Sequence, residues 1–108
     1  MATRPQPVRA VADDSSLVAS ILDPDGRPVD LTEDRWRHIV AGHPDLRPYL
    51  RSILDAVRHP DRRVPGRGAD EEWFYLADAG PSRWLKVVVH FESGRGRIVT
   101  AFARRSMP

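Results

Sequence analysis

The sequence predicts an α+β domain: a short N-terminal hairpin, then two helices packed on one face of an antiparallel three- to four-stranded sheet. Three observations predict it. Apolar residues recur at helical spacing between positions 36 and 57, they alternate with a period of two between 72 and 103, and turn residues separate the segments. At 108 residues the chain has the size of one domain, so a single hydrophobic core is expected.

Residues 1–15 mix Pro, Arg, Asp and Ser without periodicity and read as a flexible tail, leaving 16–108 as the domain. The runs 17–22 and 27–31 flank Asp23-Pro24-Asp25-Gly26, whose chemistry suits a tight turn between short strands. Thr32 is a good N-cap, Glu33 and Asp34 favour the positive end of a helix dipole, and Trp36, Ile39 and Val40 follow at helical spacing. That helix should stop at Gly42, because Pro44 pushes His43 out of the α region. A second helix is expected from Asp45, with Pro48 tolerated in its first turn and Leu46, Leu50, Ile53, Leu54 and Val57 forming one apolar stripe. His59-Pro60-Asp61 ends it, and 62–68 reads as an arginine- and glycine-rich loop.

Three extended segments follow, at 72–77, 84–91 and 97–103. Short connections at 79–82 and 93–96 imply an antiparallel meander. In the middle segment the period of two separates Leu85, Val87, Val89 and Phe91, a core face, from Trp84, Lys86, Val88 and His90. The first segment similarly separates Phe74 and Leu76 from Trp73 and Tyr75. For 97–103 the pattern is ambiguous: either Ile98, Thr100 and Phe102 or Val99, Ala101 and Ala103 could face the core.

Charge is divided along the chain. Residues 1–61 carry 8 Arg against 10 acids, net −2, whereas 62–108 carry 8 Arg and 1 Lys against 5 acids, net +4. The basic charge therefore lies on the sheet half, where it would favour a phosphate-bearing partner, although an arginine-rich genome would produce similar patches. The open face of the sheet would join these cations to aromatic rings, a combination suited to bases and phosphates, while Trp and Tyr also serve as ordinary cross-strand pairs. Lys86 is the only lysine.

No cysteine is present, which excludes disulfides, thiolate metal sites and cysteine nucleophiles. Four histidines, His38, His43, His59 and His90, show no familiar metal spacing, so neither metal nor cofactor is expected. His38 lies about 200° from Trp36 on the helical wheel, on the polar side. His43 ends the helix in line with the buried stripe and is free to point into a cleft or to cap the helix end. The absence of an apolar signal core and of a long apolar run leads us to expect a cytoplasmic protein with no membrane association.

The runs LTEDRWRHIVAGHPDL, AVRHPD, WLKVVVHF and RIVTAFARR together resemble the phage-type nucleases related to barnase, EndoU, colicin nucleases and RelE, over about residues 29–105. The resemblance implies a metal-independent endoribonuclease of toxin or effector type, cleaving RNA by attack of the ribose 2′-OH, with RNA as partner and an acidic antitoxin or immunity protein as a second. It implies catalytic roles for His38, His43, Lys86 and Thr100; Tyr75 and His90 on the open face, with Arg104 and Arg105 of the basic C-terminal stretch, are the expected RNA contacts. Phe102 stands where such sequences often have tyrosine. A non-catalytic RNA- or protein-binding module on the same scaffold is the alternative.

Overall fold

A computed structural model of the chain describes residues 16–107. The expected tail at 1–15 lies outside them. In chain order the elements are β1 (Leu17–Leu22), β2 (Pro28–Thr32), α1 (Glu33–Gly42), a 3₁₀ segment (Pro44–Tyr49), α2 (Leu50–Arg58), β3 (Arg62–Pro65), β4 (Glu71–Ala77), β5 (Trp84–Glu92) and β6 (Arg95–Arg104). The α+β class, the hairpin and the helix side of the sheet are as the sequence indicates.

The sheet is larger than expected: among the described residues it has six strands, in the order β1-β2-β6-β5-β4-β3. It is also mixed rather than antiparallel, because β2 joins β6 in parallel at two positions, Val29 opposite Gly96 and Asp30 opposite Arg97. Such a short parallel contact between segments far apart in sequence leaves no periodic trace. The arginine stretch expected as loop contains β3, which pairs antiparallel with β4 from Arg62–Tyr75 to Pro65–Glu72.

Thr32 caps α1 as expected, its hydroxyl accepting from the Arg35 N–H at 3.1 Å. The second helix departs from expectation. Residues Pro44–Tyr49 form a 3₁₀ turn before α2 begins at Leu50. Two prolines, at 44 and 48, remove the N–H groups an α-helix would use there, and the Leu46 N–H instead bonds the His43 carbonyl three residues back. Leu46, Ile53, Ala56 and Val57 are still buried, packed with Ile39 on the sheet face made by Phe74, Leu85, Val87, Val89 and Ile98.

A β-bulge resolves the ambiguity in the last strand. Thr100 opposes Val88 while Ile98 opposes the next residue, Val89, so Val99 is an extra residue in β6. Ile98 and Ala101 therefore both face the core, and Thr100 and Phe102 both face away, a division that simple alternation forbids.

The turn between β1 and β2 closes the helix side of the sheet with ion pairs. Asp23, buried, accepts from the backbone N–H groups of Asp25 and Arg27 and from the Arg27 guanidinium at 2.9 Å. Arg27 continues to Glu72 and lies 3.6 Å above the Phe91 ring centroid, and Arg63 joins Asp25 to Glu72. Gly96 makes room for this stack, since a Cβ there would fall 2.7 Å from the Phe91 ring.

Removing the Asp23 carboxylate leaves two backbone donors and part of a guanidinium without their acceptor. Asp23→Ala should therefore lower stability by about 2–3 kcal/mol in urea denaturation, with an unchanged m-value. A loss below about 0.5 kcal/mol would show that the turn behaves as an ordinary surface ion pair.

Candidate functional site

The face turned away from the helices carries, from β4, Glu71, Trp73 and Tyr75; from β5, Trp84, Lys86, Val88 and His90; and from β6, Thr100, Phe102 and Arg104. Tyr75 and Phe102 flank Lys86 directly on the two neighbouring strands. Lys86 is only 5% exposed. Its Nζ lies 3.4 Å from the Trp73 ring centroid, 5.3 Å from that of Phe102 and 5.8 Å from that of Tyr75. Among the described residues no carboxylate lies within 4.0 Å of it.

A depression of about 540 Å³ opens over this amine, lined by Arg67, Glu71, Trp73, Lys86, Thr100, Phe102 and Arg104 among others. Burial lowers the affinity of Lys86 for its proton below the usual value, Arg104 and Arg67 lower it further, and Glu71 opposes them. Glu71 is fixed nearby, accepting from the Trp73 indole Nε1–H at 2.6 Å.

His43 reaches this face beside the part of the β6 edge beyond Arg97, which β2 does not pair. Its backbone donates to the Ile39 carbonyl at 2.8 Å and accepts from the Leu46 N–H at 3.0 Å, which pins the junction between α1 and the 3₁₀ turn. The backbone provides the cap, and the imidazole stacks on Phe102 with centroids 5.6 Å apart. His43 and Lys86 thus lie against the same ring.

The remaining predicted residues divide. Thr100 and Arg104 line the depression with Lys86. His38 is exposed on α1 and is not brought to it. His90 is on the same face, opposite Glu71 and Arg97, but lines a neighbouring depression with Asp30 and Arg95. Arg105 lies exposed, one residue beyond β6.

Tyr75 is not available to stack on a base. It is fully buried, edge-on to Trp84, and burial raises the affinity of its hydroxyl for its proton, opposed by Arg104. That hydroxyl has no hydrogen-bond partner among the described residues. Asp61, part of the Pro-Asp motif, bonds the Ala77 N–H at 2.8 Å and so serves the β3–β4 end of the sheet.

Sequence reasoning missed Arg67, Glu71 and the anchoring role of Trp73. Glu71 lay one residue outside the expected strand, and continuing the alternation from Trp73 would have placed it on this face. No cluster of three His or acidic side chains able to hold a metal occurs among the described residues, and no helix there is long and apolar enough to cross a membrane. No protein-family model, curated protein or solved structure matches the chain.

The buried amine gives a pH signature. The folded-state pKa of Lys86 lies below the unfolded value of about 10.5, so between the two the unfolded chain holds more protons and stability rises with pH. Compared with Lys86→Met, the wild type should gain stability as pH is raised through the window just below 10.5, measured by urea denaturation. Parallel pH curves for the two proteins would contradict the shift.

Proposed function

We propose that this protein is a metal-independent endoribonuclease of toxin or effector type that cleaves RNA by transesterification through the ribose 2′-OH. The observation that carries the reading is a buried lysine with no carboxylate against it, sharing one aromatic ring with a histidine. A phosphodiester supplies the negative charge such a lysine lacks, and Arg67, Arg104 and the Thr100 hydroxyl line the same depression.

In the proposed reaction the neutral imidazole of His43 takes the proton from the 2′-OH, and the freed oxygen attacks the adjacent phosphorus. Lys86 and Arg104 meet the charge that gathers on the non-bridging oxygens, and Thr100 orients the phosphate. The bond to the 5′ oxygen then breaks, and the Lys86 ammonium, made more acidic by burial, delivers the proton that oxygen needs. The products are a 2′,3′-cyclic phosphate and a free 5′-hydroxyl. An RNA substrate sets the site of action in a cytoplasm, of host or target cell. An acidic antitoxin or immunity protein is the protein partner this reading implies.

One observation favours a second reading, a non-catalytic RNA-binding module. His38 lies outside the depression, which leaves His43 as the imidazole beside it. A binder would retard RNA with strong salt dependence and leave it intact.

Purified protein should cleave end-labelled RNA in EDTA, and a single 2′-deoxy substitution should protect its own linkage. His43→Ala and Lys86→Met should each lower kcat/KM by about 10²–10⁴-fold, whereas His38→Ala should leave it unchanged. Intact RNA, or cleavage indifferent to both substitutions, would sink the reading.

A further inference from the structure

We propose that Glu71 is a positioning residue for this site: through the indole of Trp73 it holds the Lys86 amine over the depression in its charged form. The inference deepens the RNA-cleaving reading and rests on it for its purpose, though its geometry stands independently.

Two contacts run in series. The Glu71 carboxylate accepts from the Trp73 Nε1–H at 2.6 Å, and the indole face carries Lys86 Nζ at 3.4 Å. A charged acceptor on the indole N–H pushes electron density into the ring and strengthens its hold on a cation. It also fixes the ring plane, and therefore the place of the amine that lies on it. Every other ionic group named near Lys86 works against its charge: Arg104 and Arg67 repel it, and burial removes its water. Tyr75 and His43 face the same cluster without a carboxylate's charge. Glu71 is the acid that opposes this repulsion.

The loop between β3 and β4 is shaped to hold that carboxylate. The Gly66 N–H bonds the Glu71 carbonyl at 2.7 Å, the Glu71 N–H bonds the Gly68 carbonyl at 3.2 Å, and the Arg67 N–H approaches the carboxylate at 3.4 Å. A Cβ on Gly66 would fall 2.5 Å from Glu71 Cγ and 2.9 Å from its Cβ. Those atoms are near the backbone, so they cannot swing away as the tip of a flexible chain could. Glycine at 66 is thus required for Glu71 to sit where it does.

Because the chain has one lysine, the Cε methylene resonance of Lys86 is a unique NMR probe of its charge. With no RNA present, Glu71→Gln should lower the Lys86 titration midpoint by roughly half to one pH unit. In a Trp73→Phe background, which keeps a ring but removes the N–H, the same substitution should produce less than half that shift, by the logic of a double-mutant cycle. Equal shifts in the two backgrounds would mean a direct charge effect with no passage through the indole, and would overturn the proposal. So would the absence of any shift. If Glu71→Gln fails to fold, Gly66→Ala, which displaces the carboxylate while leaving it in place chemically, should move the Lys86 midpoint in the same direction, and an unmoved midpoint overturns the proposal. Failure of RNA cleavage with the titration coupling intact would remove the reaction and leave this network standing. Cleavage without the coupling would do the reverse.

Discussion

One extra residue in the last strand sets the arrangement of both faces of the sheet. Strict alternation along β6 would turn either Ile98 or Ala101 away from the helices. With Val99 bulged between them, both pack inward with the core, and Thr100, Phe102 and Arg104 all face outward. The bulge also separates two pairing duties. Residues before it meet β2 in parallel, and those after it leave an edge that no strand among the described residues covers. His43 comes around that uncovered edge to Phe102. The β2–β6 pairing stops at Arg97, and a longer ladder would have closed that route.

The aromatic residues on the outward face are occupied by the protein's own groups. Trp73 carries Lys86, Phe102 carries His43, and Tyr75 is packed under Trp84. A surface built for base stacking presents free ring faces, whereas here the rings are covered by the protein's own side chains. A desolvated cation–π contact contributes on the order of 2 kcal/mol, which offsets part of the cost of burying the amine without cancelling its charge as a carboxylate would. The result is a positive charge fixed in place and still available to an anion. That is the physical content of the phosphate reading, and it makes the depression a backbone-binding site before it is a base-binding one.

Legibility in the sequence followed the range of the interactions. The Thr32 cap, the stop at Gly42 and the face of β5 depend on neighbours a few residues away, and each could be read from spacing. The β2–β6 pairing, the strand at Arg62–Pro65 and the 3₁₀ turn depend on distant partners or on the combined effect of two prolines. Alternation correctly put Tyr75 on the face of Lys86 but carried no information on depth, so a residue expected to contact RNA is fully buried. The wheel angle of His38 already argued against its pairing with His43, and the exposed position of His38 agrees with the wheel. The family resemblance alone had joined them.

The choice of lysine at position 86 is the last step. Every other basic side chain that carries a fixed charge in this protein is arginine, and an arginine at 86 would be held charged beside Arg67 and Arg104 at any working pH. Its planar group would also need a matching fork of acceptors, and the nearest acid, Glu71, is committed to the Trp73 indole. An ammonium needs only one ring face beneath it. It keeps its remaining N–H bonds for a ligand and, unlike a guanidinium, has a proton whose release burial and the neighbouring cations favour. The same environment that makes a charged group costly here eases the loss of its proton, and the carboxylate behind Trp73 opposes that tendency.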